Sequence, residues 1–407
     1  MRSLLKNVTL WSLTLGHFSI DMLAGSMPIV VGLYLKDSLG LSLAQIGLML
    51  GAYKMSSSLT QPLFGYLSDR YGGRWFAVGG LLWMASLQGF IGYMPTFESA
   101  LGLALLAGLG SAAFHPQGAS GANRAAGKNK TAGVAMFMLG GNMGFAVGPI
   151  LAALIMGSFG THGSLALGMI GLMIAPFLYV LTGRAQRSGD VAQKSSSWRI
   201  ELNPAFTTTA IVALLLVMSL RAWSHESFSS FTPQFFTEVA DFSKAKASLI
   251  SSIMLFVLAF GSLTGGILAD RIGANRVMLG SMLLSAPLMI GMFLLGDNRA
   301  FFLAPFIGYF AGAAWPPMLV LAQSLFPKNA GVGSGMALGF VFAMGGLGVN
   351  LTGWLAEPQN LGLTTAMLLL SAIPLVTAAL VFLLPSSTEV KQAPVMVEPQ
   401  PQPVRVG

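Results

Sequence analysis

The chain contains no cysteine, which excludes disulfides and thiolate metal sites outright. It is also poor in charge. Only 9% of its 407 residues are Asp, Glu, Lys or Arg, against about 25% in soluble domains. With 54% hydrophobic residues and a mean hydropathy of +0.72, a soluble chain of this length would lack the polar surface to cover its apolar mass. No G-x-x-x-x-G-K-[S/T] segment occurs, so a nucleotide-driven pump is excluded. His225-Glu226 is followed by Ser227-Phe228-Ser229, an incomplete zinc signature, and no nucleophile-and-base cluster suggests an enzyme. No loop is long enough for a soluble signalling domain. Met1 to Lys6 run straight into an apolar stretch without a small-residue cleavage site, so no signal peptide is expected.

What remains is a chain of long apolar runs. About 20 such residues cross a bilayer, and Trp75–Phe97, Ala247–Ala269 and Ala300–Pro327 are uncharged runs of that kind. Twelve transmembrane helices are expected, near 7–35, 42–68, 75–94, 98–123, 131–157, 163–183, 204–231, 245–269, 277–296, 300–326, 329–356 and 361–385. The fold class is therefore an all-α membrane protein. Most of the 22 basic residues fall in the N-terminus, alternate loops and the tail, while the opposite loops hold only Lys36, Lys244, Lys246 and Arg299. That asymmetry places both termini in the cytoplasm and makes the net charge of +8 a membrane-orienting feature, not a nucleic-acid footprint. The expected layout is a six-helix bundle over 1–183, a basic polar linker over 184–203, a second bundle over 204–385 and a disordered cytoplasmic tail over 386–407.

The halves repeat. Gly65-Tyr66-Leu67-Ser68-Asp69-Arg70-Tyr71-Gly72 recurs as Gly266-Ile267-Leu268-Ala269-Asp270-Arg271-Ile272-Gly273, and Ala113-Phe114-His115-Pro116 aligns with Ala314-Trp315-Pro316-Pro317. Such duplication places a site between two bundles. Asp69, Arg70, Arg74, Asp270 and Arg271 are candidates for a latch, since an aspartate there can pair with an arginine or cap a helix N-terminus across the bundle interface.

These residues carry a resemblance. G-x-L-x-D-R-x-G after helix two, repeated after helix eight, resembles the signature loop of the major facilitator superfamily. Gly16-His17-Phe18 with Asp21, Gln61-Pro62, Phe114-His115-Pro116, Gly140-Gly141-Asn142 with Gly144-x-x-x-Gly148-Pro149, and Arg221-Ala222-Trp223 are together similar to its fosmidomycin-resistance branch. That resemblance implies a proton-driven exporter in a bacterial inner membrane, acting on small molecules and associated with antibiotic efflux. Two positions depart from the pattern: Gln117 stands where an acidic residue is expected, and Lys54 is an unexpected charge in helix two.

Ionisable groups at bilayer depth cost roughly 2.5–3.5 kcal/mol each on insertion scales, so those present normally face a cavity or a partner. His17 and Asp21 are four apart and share a face of helix one, and Arg221 and His225 repeat the spacing in helix seven. Asp21 is expected to be the coupling carboxylate, tuned or relayed by His17. The competing reading is a fixed salt bridge from Asp21 to Lys54 or Arg221. Lys54 and Arg221 would attract an anionic or zwitterionic substrate, or else merely neutralise Asp21 and Glu226. His115, ahead of Pro116, is either a substrate contact or a packing histidine held by the carbonyl the proline frees. Glu226 is expected nearer the periplasmic end of its helix. Lys54, His115, Gln117, Arg221, His225 and Glu226 form the candidate substrate set. No cofactor or metal is expected, the proton gradient being the energy source; the partners are protons, the lipid bilayer and a small molecule, and the chain is expected to be a monomer. An importer or a passive facilitator is the alternative to an exporter.

Overall fold

The computed structural model of the chain describes residues 6–127, 129–182, 202–325 and 330–386; the side chains at 69, 130, 131 and 330–338 also lie outside that description. Every regular element among the described residues is helical, and they form twelve rods. In the first half these are α1 (Val8–Ile29), α2 (Leu43–Leu59 and Gln61–Tyr71), α3 (Gly73–Phe90), α4 (Phe97–Ala125), α5 (Lys130–Phe159) and α6 (Gly163–Thr182). The second half contains α7 (Thr208–Glu238), α8 (Lys244–Ile272), α9 (Ala274–Leu295), α10 (Ala300–Ala313 and Trp315–Ser324), α11 (Ala330–Leu355) and α12 (Gly362–Val381).

Proline decides where the rods deviate. Pro28 lies inside α1 and cannot donate to the preceding turn, and the rod continues through a wide π turn, Val30–Leu35, into Lys36–Leu39. The expected single helix over 42–68 is instead broken at Thr60, with Pro62 in the first turn of the second piece. The repeat diverges at its second match for the same reason. α4 runs unbroken through Pro116, whereas α10 stops at Ala314 and restarts with Pro316 and Pro317 in its first turn. Two consecutive missing donors interrupt the ladder in α10, where the single Pro116 does not in α4.

Nine helical segments of the described chain are long and apolar enough to cross a membrane. α5 and α6 count there as one continuous run, while broken α2 and partly described α11 fall short of the threshold. Large apolar side chains point outward around the bundle, Phe382 at 74% exposure and Phe302 at 69% among them, as a lipid-facing perimeter requires. The first repeat match holds in the backbone: Gly72 and Gly273 close equivalent turns with φ of 98° and 96°, a region glycine enters without strain. The linker 184–203 lies almost wholly outside the described residues, as does the tail beyond 386. At the linker's described end, Asn203 donates from N and Nδ2 to Leu325 O and Ser324 O, fastening it to α10.

Within the first half α1 packs on α5 and α6; the second half repeats this with α7 on α11 and α12. The halves meet along α2 with α11 and α5 with α8. Ile150 N–H donates to Ser252 Oγ at 3.1 Å on the second seam. Beyond it lie Lys36–Glu238 and Lys244–Asp37, both 2.5 Å, and Ala44 N–H to Glu357 Oε1 at 2.7 Å. All three sit at the end of the bundle opposite the termini, where the halves are closed.

The seam between α1 and α5 depends on glycine. A Cβ at Gly144 would meet Phe18 C at 2.8 Å and Met22 N at 2.9 Å, both backbone, so no side chain can give way. Gly144→Ala is expected to destabilise the protein by about 1–3 kcal/mol, the overpacking range. Gly79→Ala, where nothing lies within 4 Å, should leave the melting temperature unchanged or raise it. Equal melting temperatures for the two variants would show that this seam is not tightly packed.

Candidate functional site

α1 carries His17 and Asp21 on one face, and Nε2 of His17 lies 3.1 Å from Asp21 Oδ2. α4 brings His115 to the other oxygen, Nε2 to Oδ1 at 3.2 Å. The far nitrogen of each ring meets a backbone carbonyl: His17 Nδ1 faces Phe137 O at 2.8 Å and His115 Nδ1 faces Ser111 O at 2.8 Å. A carbonyl only accepts, so each Nδ1 carries its hydrogen there. Both Nε2 atoms then point at carboxylate oxygens, and each contact is a hydrogen bond only with a proton in it. The cluster thus has places for two protons beyond neutral imidazoles and a bare carboxylate. Its ligand atoms lie within 4.8 Å of one another, close enough to share one small cation.

The cluster is held stiffly. Phe137 stacks on the His17 ring at 4.0 Å, and Phe114 lies 6.1 Å away. A Cβ at Gly141 would stand 2.5 Å from both Asp21 Oδ2 and His17 Nε2, so this glycine leaves the space the pair occupies. His115 is the open side, at 28% side-chain exposure against 4% for His17.

The alternative of a fixed bridge from Asp21 to Lys54 or Arg221 is not what forms. Asp21 takes the two histidines, and Lys54 Nζ pairs with Glu226 of the opposite half. α7 runs from Thr208 to Glu238, so Glu226 lies just past its middle on the Glu238 side, and it is enclosed, at 13% exposure, not open to a wet vestibule. His115 rests on Ser111 O, the carbonyl four residues before itself, not on the one that Pro116 frees. Gln117 does not join the site. It is buried and donates from Nε2 to Ser68 Oγ, bracing α4 against the last turns of α2, because its side chain leaves α4 toward the terminal end.

Arg221 and His225 sit at the equivalent face of α7 but face a cavity inside the second half. Nη2 of Arg221 donates to Ala311 O at 2.9 Å, and the guanidinium lies 4.9 Å from the Trp315 ring centre. Of the latch candidates, Arg74 donates to Tyr179 O and stacks 3.9 Å over the Tyr179 ring within its own half. Arg70 is exposed beside Tyr71, 5.5 Å from the ring centre. Asp270 and Arg271 are exposed, and the side chain of Asp69 lies outside the description.

Sequence reasoning missed three features. One is a central cavity of about 430 Å³ between the halves, lined by Tyr53, Lys54, Ser229, Ser230 and Ser251. The three serine hydroxyls there, and both ends of the Gln234 amide, have no protein hydrogen-bond partner. The second is the acceptor role of Phe137 O, which no residue type announces. The third is the pairing of Lys36 and Asp37 with Glu238 and Lys244. A signal existed for it: Lys36 and Glu238, of opposite sign, stand at nearly the repeat offset.

Two packed six-helix halves, closed at one end by ion pairs, define a multi-pass membrane transporter. The profile of the Major Facilitator Superfamily matches residues 13–335 and 214–406. The chain belongs to that superfamily. It is 32% identical over 92% of each chain to an uncharacterized MFS-type transporter of Bacillus subtilis. It is 29% identical over 87% of each to the fosmidomycin resistance protein of Escherichia coli. A probable nitrate/nitrite antiporter of Thermus thermophilus is 26% identical over 83% of this chain and 82% of its own. Among solved structures, a bacterial homolog of the human lysosomal transporter Spinster, inward-facing and occupied, superposes with a TM-score of 0.76. It is 16% identical, over 92% of this chain and 95% of the other.

Proposed function

We propose that the protein is a proton-coupled antiporter that exports a small molecule from the bacterial cytoplasm by alternating access between its two halves. The observation that carries this reading is the His17–Asp21–His115 cluster, with room for two protons and one open side. A membrane-embedded carboxylate kept among histidines is a natural proton-exchange site. Protonation would alter the cluster's charge and so bias which arrangement of the halves is favoured, as any coupled exchange requires. The similarity to a fosmidomycin resistance protein and to a nitrate/nitrite antiporter supports export and exchange. The charge asymmetry of the loops supports cytoplasmic termini in an inner membrane, and the six-plus-six fold supports action as a monomer.

The passage would run between the halves, past the Lys54–Glu226 pair and the unpartnered serines. In the arrangement described it is shut at the end opposite the termini. On the proposed orientation, that is the periplasmic end.

The test uses inside-out vesicles, energised to an acid interior and read with a pH dye. Phosphonates including fosmidomycin, carboxylates, organic cations, sugars and amino acids are added in turn. An exported substrate is expected to collapse the gradient only where the protein is present. Radiolabelled compound equilibrating with no change in the gradient would instead make the protein a passive facilitator. Accumulation driven by a sodium gradient alone would replace the proton with another cation.

A further inference from the structure

Four charged side chains lie at depth, and three are accounted for by one another and by histidine. Asp21 is held by His17 and His115, and Lys54 by Glu226. Arg221 remains. No carboxylate lies within ion-pair distance of it among the described residues, although its guanidinium carries five N–H donors. One of them reaches Ala311 O at 2.9 Å, and Trp315 covers a face. Glu226 acts on it only at a distance and is itself bonded to Lys54, and a cation within a bundle with no direct ion pair is costly unless an anion completes it. The cavity it borders holds about 570 Å³ including its mouth, and its walls are mainly apolar, with Met254, Met282, Met289 and Phe310 facing His225 and Arg221.

We infer that this cavity, inside the second half and apart from the passage between the halves, is a binding site for an amphiphilic organic anion, a carboxylate or like oxyanion on an apolar body. The inference rests on the cavity alone and is independent of the direction and coupling of transport. Arg221 supplies the fork that matches two oxygens of one oxyanion. His225, one turn along α7, stands beside it as a second polar group. The methionines provide an adaptable apolar wall for the rest of the molecule. A bare inorganic oxyanion would use the arginine but leave the apolar space empty, and a cationic ligand would meet the guanidinium head-on. The Lys54–Glu226 pair does not compete for the ligand, since Lys54 is already neutralised.

The experiment measures binding without any gradient, so a failure of proton coupling leaves it readable. Purified protein in phosphatidylcholine nanodiscs is titrated calorimetrically with benzoate, benzamide, benzylamine and nitrate, with empty nanodiscs as the blank. Benzoate is expected to bind, benzamide and nitrate each at least roughly tenfold more weakly, and benzylamine not at all. Arg221→Gln should weaken benzoate by about 10- to 150-fold, the value of a charged hydrogen bond of 1.5–3 kcal/mol. Arg221→Lys, which keeps the charge and loses the fork, should fall between. Benzylamine binding as tightly as benzoate, or benzoate affinity unchanged in Arg221→Gln, overturns the anion site. Nitrate binding as tightly as benzoate overturns the apolar part. The comparison among the four probes on the unaltered protein decides even if an arginine variant fails to fold.

Discussion

Asp21→Asn is expected to cut accumulation driven by the proton gradient sharply while leaving the protein folded and able to exchange substrate for substrate. The amide is nearly the same shape as the carboxyl. Its NH2 group can donate to one bare imidazole Nε2, so one of the two contacts, now 3.1 Å and 3.2 Å, survives. The amide oxygen faces the other Nε2 as acceptor to acceptor, and that contact is lost at a modest cost in stability. What disappears is the charge that makes proton uptake favourable. Coupling energies in such systems are about 1–3 kcal/mol, or 5- to 150-fold in the coupled equilibrium, and accumulation should fall by a factor in that range. Labelled substrate counterflow without a gradient separates the two effects. Gly141→Ala is a second route to the same defect, because its Cβ would stand 2.5 Å from Asp21 Oδ2 and from His17 Nε2. Full gradient-driven transport in Asp21→Asn would sink the coupling assignment.

The i, i+4 spacing of His17 and Asp21 was enough to place both on one face of a helix, and the repeat was enough to set α7 opposite α1. Those are local properties, and periodicity reports them. The third member of the cluster was harder. His115 stood out as an ionisable residue beside proline, but nothing in the sequence says that α4 delivers it to Asp21 and not to a ligand. Partner choice among the buried charges was equally hidden. Asp21, Lys54, Arg221 and Glu226 could be paired in several ways with equal formal neutrality. The rotation of each helix about its axis, set by small-residue seams such as Gly144 against Phe18, decides among them. Gln117 shows the same limit. One residue further round α4 than Pro116, it leaves the site entirely for Ser68.

Helix ends were legible only where chemistry marks them. The turn at Gly72 was visible twice over, because both copies need a positive φ. The break at Thr60 was not, although Gln61-Pro62 stood in plain view, since Pro116 shows that one proline is no sure interruption. Closure at one end was the least visible feature. It depends on Lys36, Asp37, Glu238 and Lys244 meeting across the halves, in residues that loop charge counting treats only as exceptions.

Glu226→Gln is expected to destabilise the protein by about 3–5 kcal/mol, as breaking one side of a buried ion pair does. The variant leaves the Lys54 ammonium enclosed, with 16% of its side chain exposed, against a neutral amide. Lys54→Met should cost a comparable amount by stranding Glu226. Replacing both together, as Lys54→Met with Glu226→Leu, removes both desolvation penalties and should recover most of the melting temperature, because such apolar replacements are often neutral or better. Strictly additive losses in that double-mutant cycle would mean the two groups do not interact. The pair also joins α2 to α7, so each single variant should loosen the closed end. The absence of native cysteine makes this directly measurable: Asp37→Cys with Lys244→Cys, at positions whose side-chain tips now meet as an ion pair at 2.5 Å, reports closure as the yield of cross-linking by a short bifunctional thiol reagent. That yield should fall when Glu226→Gln is added, because an unpaired ammonium draws water between the halves. Unchanged yield together with a lowered melting temperature would confine the pair to holding the bundle together and remove it from the gating of the passage.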